Sequence, residues 1–169
     1  MNLSELTNKV QELAYQYERQ YGGCSQCVVG AYKTTLGTIS DDVFKAATGL
    51  AGGIGLTGSA CGALTGGVIV ISTFIGRDFN NFADPSGERR KTFRLAAKLV
   101  DRFKEEYGST ICHDIQTKLM GRPFNLRDKE DYKEFLAAGG HEDKCPSVCA
   151  NTVKWIAEIL ADEDLLKGD

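Results

Sequence analysis

The chain has 169 residues, 42% of them hydrophobic and 25% charged, and a formal net charge of −3 at pH 7. This length and composition predict a single globular domain over residues 1–169. Basic and acidic residues are interspersed, so no basic face is predicted that could neutralise phosphates, and we expect no nucleic-acid partner. The first residues are polar and soon charged, unlike a secretory signal, which predicts a cytoplasmic protein.

An uncharged stretch from Ala46 to Gly76 is long enough to be tested as a membrane span. Nine glycines and several hydroxyl side chains interrupt it, leaving only Val68–Ile71 continuously apolar. This composition favours a buried central helix, so we expect no membrane span. The β-branched residues of Val68–Ile71 could instead form a short strand.

Apolar residues recur at helical spacing between capping residues and glycines along most of the chain. The predicted helices run from Ser4 to Gly22, Cys24 towards Gly37, Val43 to Thr48, Gly58 onward, Glu88 to Tyr107, Cys112 to Leu119, Asp128 to Ala138 and Cys145 onward. They predict an all-α fold, a single-domain bundle of about six to eight helices around a glycine-rich central helix. The helix that begins at Glu88 is expected to bury Phe93 and Phe103.

Gly58, Gly62 and Gly66 recur every fourth residue along the predicted central helix, which also carries Cys61. One stripe of this helix would have almost no side chains, so another backbone or a cofactor could approach it closely. Close packing is the simpler interpretation. The stripe could also pack against its own copy in a homodimer.

Four of the six cysteines form two close pairs, Cys24 with Cys27 and Cys145 with Cys149. In a reducing compartment, such thiols are typical of metal ligands or redox-active residues rather than of a disulfide framework. Cys24, Cys112 and Cys145 are predicted at helix N-termini, where free N–H groups favour a thiolate over a thiol. The members of each pair are expected to share one helix face.

Four cysteines fall on different predicted helices: Cys24, Cys61, Cys112 and Cys145. Four thiolates are the ligand set of an iron–sulfur cluster or a structural zinc ion, and these helices could direct their N-termini at one pocket. Cys27 and Cys149 are alternative ligands, or resolving thiols if the protein is a thiol–disulfide oxidoreductase. A non-redox structural or interaction protein is a third alternative.

Other motifs carry less information about function. Gly53–Gly58 matches G-x-G-x-x-G, but the residues before it are predicted as helix rather than strand, which argues against NAD. The chain lacks the Cys-x-x-Cys-His signature of covalent haem attachment, which argues against haem. His113 is expected to face solvent or to cap a helix, and His141 is expected in a loop.

The cysteines resemble those of the redox-active protein family named for a C…GCAxxG…C…C pattern, over nearly the whole chain. The matching positions are Cys24 in Cys-Ser-Gln, Cys61 in Cys-Gly-Ala-x-x-Gly, Cys112 after an aromatic-Gly-Ser approach and Cys145 at the start of the last helix. The chain departs from the family label in its order Cys-Gly-Ala and in having two additional cysteines.

The resemblance implies a small, mainly helical protein with a redox role. A similar domain in split-Soret cytochromes is associated with an iron–sulfur site, which by analogy favours an iron–sulfur cluster over zinc here. We therefore expect an electron-transfer centre, with Gly62 and Gly66 against the cofactor. Its partner would be an electron donor or acceptor protein that the sequence does not identify.

Overall fold

A computed structural model describes residues 1–166, in which helices are joined by loops and the predicted all-α fold class is confirmed. The α-helices are α1 (Leu3–Tyr21), α2 (Cys24–Leu36), α3 (Asp41–Ala46), α4 (Gly62–Ile75), α5 (Glu88–Tyr107), α6 (Cys112–Met120), α7 (Lys129–Ala137) and α8 (Cys145–Asp162). Within residues 1–166, β-type pairing is limited to one antiparallel bridge between Ala60 and Ile111.

The core lies between α1, α2, α4 and α8. Helix α8 packs most extensively against α1, while α2 and α4 contact each other and α8. Val10, Tyr32, Val70 and Ile156, one residue from each of these helices, are fully buried. The Tyr32 hydroxyl donates a 2.9 Å hydrogen bond to the carbonyl of Val153, which joins α2 to α8 inside the apolar core.

Helix α4 is the predicted glycine-rich central helix, and it contacts α2, α5 and α8. Val68–Ile71 lies within it, so the alternative of a short strand is wrong. The helix begins at Gly62 rather than near Gly58, because Gly58 has a φ of +75° that a right-handed helix excludes. Cys61 is therefore the N-cap residue of α4. Neither α4 nor any other helix of residues 1–166 has the length and apolar character of a membrane span.

Helix α5 buries a different face from the predicted one. Phe93 is 63% exposed, whereas Leu95, Leu99 and Phe103 are fully buried. Two overlapping stripes at helical spacing run along this helix, and Phe103 belongs to both. Packing against α4 and α8 selects the stripe through Leu95, which the amphipathic pattern alone does not distinguish.

Candidate functional site

Four cysteine thiols from four separate segments meet at one cavity of about 440 Å³. Cys24, Cys112 and Cys145 are the first residues of α2, α6 and α8, and Cys61 is the N-cap of α4. The helix N-termini predicted for the first three are therefore present. All four side chains line the cavity, which brings together the four residues predicted to form the site.

Cys61 and Cys112 are positioned by a short antiparallel pairing of the segments that precede α4 and α6. The Cys61 N–H donates a 2.9 Å hydrogen bond to the Thr110 carbonyl, and the Cys112 N–H donates one of 2.6 Å to the Ser59 carbonyl. Side chains alternate between the two faces of such a pairing, so Cys61 and Cys112 lie on the same face. The two thiols are thus held as diagonal neighbours.

Gly62 and Gly66 admit the first turn of α2 to the surface of α4. A Cβ atom at Gly62 would overlap the sulfur of Cys24, and one at Gly66 would lie 2.5 Å from the carbonyl oxygen of Ser25. The Ser25 hydroxyl donates a 2.7 Å hydrogen bond to the carbonyl of Ala47, which anchors this turn. The two glycines let the backbone that carries Cys24 approach α4 closely. This agrees with the prediction of close packing along the glycine stripe.

The two remaining cysteines do not line the cavity among the described residues. Cys27 lies in a neighbouring groove between α1, α2 and α3, and its thiol donates a 3.2 Å hydrogen bond to the Gly22 carbonyl. Cys149 is fully buried, and its thiol donates to the carbonyl of Cys24 at 3.8 Å. Cys24 thus lines the cavity and Cys27 lines the groove, although both thiols lie near the Glu18 carboxylate.

Burial dominates the acid–base behaviour of the cavity thiols. It raises the pKa of Cys61 to about 12, although the N–H groups of Leu64 and Ala63 favour the thiolate. It likewise raises the pKa of Cys112 to about 12, with Cys24 adding to the rise. The pKa of Cys145 also rises well above its usual value because of burial. The sequence predicts activated thiolates at helix N-termini, but desolvation outweighs the helix ends.

Polar groups nevertheless approach the sulfur atoms. The N–H groups of Gly52 and Ser25 lower the pKa of Cys24, against a larger rise from burial. The Gln116 side-chain amide donates to the sulfur of Cys112 at 3.5 Å and accepts a 2.8 Å hydrogen bond from the Phe124 N–H. Gln116 is absent from the predicted site, although its position four residues after Cys112 places it on the same helix face.

A second unpredicted residue, Glu18, lines the cavity from α1. It is 1% exposed, and its Oε1 lies 2.9 Å from the Nδ1 of His141. Its Oε2 has no hydrogen-bond partner by distance and angle among residues 1–166, although the Cys27 thiol lies close enough to interact with the Glu18 carboxylate. The sequence carries a signal for this residue, because Glu18 continues the apolar stripe of Val10 and Ala14 at intervals of four.

The two histidines differ in their relation to the site. His141 lies in a π-helical turn before α8 and lines the cavity. His113 is half-buried against Gly58, and its Nε2 lies 3.2 Å from the Phe124 carbonyl oxygen. The predicted loop position of His141 is thus close to what the structure shows, whereas His113 neither faces solvent freely nor caps a helix.

The donor set bears on which metal group could fit here. Among residues 1–166, no three His, Cys, Asp or Glu side chains are arranged to hold a single metal ion. A zinc ion would draw its thiolates to about 2.3 Å from one centre. A [4Fe–4S] cluster binds each thiolate to a different iron, so it needs four convergent but separated sulfurs. Four thiols from separate segments line this cavity.

A family model described as "Putative redox-active protein (C_GCAxxG_C_C)" matches residues 22–159. The chain belongs to this family. The resemblance seen in the cysteine motifs is confirmed, and membership of the C_GCAxxG_C_C family supports a general redox role. The matched segment contains all six cysteines and begins after Glu18. Neither a curated protein nor a solved structure matches the chain.

Proposed function

We propose that four cysteines together bind an iron–sulfur or other metal centre that transfers electrons: Cys24, Cys61, Cys112 and Cys145. One observation carries the proposal. These thiols come from four segments that are distant in the sequence, yet they line a single cavity, while the other two cysteines lie outside it. Thiols placed only as small apolar core residues have no reason to converge in this way.

The surroundings of the sulfur atoms support a bound centre. Metal binding replaces the thiol protons and converts buried neutral thiols into ligated thiolates. N–H groups near Cys24 and Cys61, and the Gln116 amide beside Cys112, favour charge on the sulfurs. Hydrogen bonds to sulfur and exclusion of water are two of the means by which proteins set the potential of a cluster.

Partial exposure of the site suits exchange of electrons with another protein. Three of the four cavity cysteines, Cys24, Cys112 and Cys145, are half-buried rather than fully enclosed. A donor or acceptor protein could therefore approach the centre closely without opening the core. All six cysteines are free thiols, and a cytoplasmic setting would keep them reduced.

The decisive test is the iron, zinc and acid-labile sulfide content of protein purified without oxygen, together with its visible spectrum before and after dithionite. We expect iron, sulfide and an absorption band that dithionite bleaches. Cys61→Ser should lose most of the iron and the colour, whereas Cys27→Ser, on the groove side of α2, should retain both. Absence of iron, sulfide and zinc from the wild-type protein would overturn the proposal.

A dithiol of Cys61 and Cys112 is the second candidate, because the two side chains share one face of the short antiparallel pairing. Diagonal neighbours of this kind lie about 7–8 Å apart. A disulfide needs Cα atoms within about 6.8 Å, so the backbone would have to shift. This candidate predicts a colourless protein that loses two titratable thiols on mild oxidation. A non-redox protein would show neither signature.

A further inference from the structure

We propose that the end of the molecule opposite the thiol cavity is a docking surface for an anionic lipid bilayer. This surface, the aromatic–basic patch, is formed by the loop between α4 and α5 and by the start of α5. It comprises three exposed aromatic and three exposed basic side chains: Phe79, Phe82, Phe93, Arg89, Arg90 and Lys91. The inference goes beyond the redox function proposed above and does not depend on it.

Three phenylalanines project from the patch into solvent. Phe79 is 85% exposed, Phe82 is 64% exposed and Phe93 is 63% exposed, and no other phenylalanine of residues 1–166 is exposed. Single exposed apolar residues are ordinary on protein surfaces, whereas several large ones grouped together mark an interaction site. These rings line neither the thiol cavity nor the neighbouring groove, so neither site accounts for them.

Contacts within this segment hold the patch together. The guanidinium carbon of Arg77 lies 3.9 Å from the centroid of the Phe82 ring, and its Nη1 donates a 3.5 Å hydrogen bond to the Phe82 carbonyl. The Asp84 carboxylate accepts a 3.1 Å hydrogen bond from the N–H of Arg89, which joins the loop to the start of α5. Phe93 follows Arg89 by four residues, so the two side chains share one face of α5.

The patch carries positive charge that no ion pair neutralises. Arg89, Arg90 and Lys91 are exposed and form no ion pair with any part of the chain that the structure describes. The acidic residues of this segment lie at helix starts, where the partial positive charge of the helix end offsets part of theirs: Asp78, Asp84 and Glu88. Unpaired cations beside exposed aromatic rings, on a chain of net charge −3, match the chemistry of an anionic bilayer surface.

The patch lies at the end of α4 that is remote from the thiols. Helix α4 begins next to Cys61 and ends at Ile75, and its 14 residues rise by about 20 Å. The Thr92 hydroxyl donates a 2.8 Å hydrogen bond to the Ile75 carbonyl, which places the start of α5 beside the end of α4. A bilayer bound at the patch would therefore leave the thiol cavity uncovered.

Charge and shape favour a bilayer over a second copy of the chain or another protein. In a twofold dimer the patch would meet itself, and the like charges of Arg89, Arg90 and Lys91 would face one another at a cost in free energy. Protein partners bind most tightly through side chains enclosed in fitted pockets, whereas these phenylalanines project into solvent. Projecting rings suit the bilayer interface, where they enter the acyl boundary while basic groups stay among the headgroups.

Sedimentation of the whole protein with lipid vesicles tests the proposal. We expect the protein to bind vesicles of phosphatidylcholine and phosphatidylglycerol in equal parts, and to bind vesicles of phosphatidylcholine alone much more weakly. Raising the salt concentration from about 0.01 M to about 0.1 M shortens the Debye length from about 30 Å to about 10 Å, which should weaken binding to the mixed vesicles. Absence of binding to the mixed vesicles at low salt would overturn the inference.

A double variant, Arg89→Gln with Arg90→Gln, removes two charges from the patch. It should weaken binding to the mixed vesicles about 30-fold, from the usual contribution of basic residues near an anionic surface. The matched control is Arg127→Gln with Lys129→Gln, which removes the same charge from exposed positions beside Leu126, a residue of the thiol cavity. The control should keep nearly the wild-type affinity. Equal weakening by both pairs would show that net charge alone drives binding and that the patch is not the docking surface.

Phe79→Ala tests the apolar part of the patch. It should weaken binding about tenfold or more, because the ring no longer enters the bilayer. Tyr21→Ala truncates a 71% exposed ring that lines the thiol cavity, and it should leave binding unchanged. In Phe79→Trp, fluorescence should shift to shorter wavelength on binding, over a constant background from the buried Trp155. Full binding by Phe79→Ala would contradict insertion of the aromatic side chains.

Two further measurements on the same variants identify a different occupant. If vesicles do not bind but Phe79→Ala abolishes a dimer seen by analytical ultracentrifugation, the patch contacts a second copy. If Arg89→Gln with Arg90→Gln instead abolishes binding to a single-stranded oligonucleotide, the patch contacts nucleic acid. Either result would overturn the inference. Iron and sulfide content reports separately on the proposed redox function, which stands or fails independently of vesicle binding.

Discussion

Gly66 allows the first turn of α2 to lie directly against α4. In Gly66→Ala the new Cβ would lie 2.5 Å from the Ser25 carbonyl oxygen and 2.9 Å from its Cα. We expect the free energy of unfolding to fall by about 1–3 kcal/mol because the overlap is with backbone. The helix propensity of alanine, about 1 kcal/mol better than glycine, offsets only part of this loss. Urea denaturation monitored by Trp155 fluorescence would measure the change.

Gly49→Ala is the matched control, since a Cβ at Gly49 has no neighbour within 4 Å among the described residues. Its free energy of unfolding should stay within about 0.5 kcal/mol of the wild-type value. If Gly66→Ala were as stable as Gly49→Ala, the close approach of α2 to α4 would be wrong. If Gly66→Ala, but not Gly49→Ala, also lost the visible absorption of the proposed centre, the contact between Gly66 and the first turn of α2 would be linked to the position of Cys24.

Between α3 and α4, the loop contains two non-glycine residues in the left-handed region, Ile54 at φ 64° and Leu56 at φ 62°. This conformation costs about 1–2 kcal/mol for a β-branched or bulky residue. Ile54 is 45% exposed, so Ile54→Gly also loses part of its side-chain burial. We expect relief of the strain to offset most of that loss and of the entropy cost of glycine, about 0.5–1 kcal/mol, so the free energy of unfolding should change by less than about 1 kcal/mol. Thermal and urea denaturation would both report it.

Ile111→Gly tests the same substitution without the strain. Ile111 is 38% exposed but has an extended backbone with φ −89°. Here glycine brings its entropy cost, about 0.5–1 kcal/mol, and a loss of side-chain burial with no relief of strain, so Ile111→Gly should lower the free energy of unfolding by more than that amount. Equal destabilisation by Ile54→Gly and Ile111→Gly would show that the left-handed loop before α4 is not strained.

The ends of the helices follow from local sequence signals, whereas the face that each helix buries does not. Gly37 and Gly108 take left-handed φ values of 70° and 75° directly after α2 and α5, where glycine predicts the helix ends. The buried face of α5 was not predictable, because a stripe through Phe93 has nearly the same spacing as the buried one. A shift of one residue turns a helix by about 100°, and only the neighbouring helices select the phase.

For the molecule as a whole, the buried thiols predict a specific dependence of stability on pH. In metal-free, reduced protein, unfolding restores the ordinary thiol pKa near 9.0, whereas the pKa of folded Cys61 and Cys112 is about 12. Below pH 9 each thiol is protonated in both the folded and the unfolded protein, so its contribution to the free energy of unfolding is fully present. Above it the folded state binds more protons, so the free energy of unfolding falls by about 1.4 kcal/mol per pH unit for each such thiol.

Urea denaturation between pH 8 and pH 10, without oxygen and with a chelator, would measure this slope. Burial also raises the pKa of Tyr32 and Tyr107 above the ordinary value of 10.0. Ionisation of these tyrosines in the unfolded state therefore lowers stability mainly above pH 10, and the range below it reports mostly on the thiols. A double variant, Cys61→Ser with Cys112→Ser, should show a shallower slope than the wild-type protein. Constant stability over this range would contradict the buried, neutral state of the thiols.

The sequence by itself determined the all-α fold class, most helix ends and the four cysteines that meet at the cavity, because caps, glycines and cysteine motifs are local signals. Only the tertiary structure decided that Cys27 and Cys149 do not line the cavity and that Glu18 meets His141 across 123 residues. These features depend on the rotation of each helix and on which helices adjoin, and no local pattern specifies either. Burial, likewise a property of the assembled core, raises the thiol pKa values against the local effect of the helix N-termini.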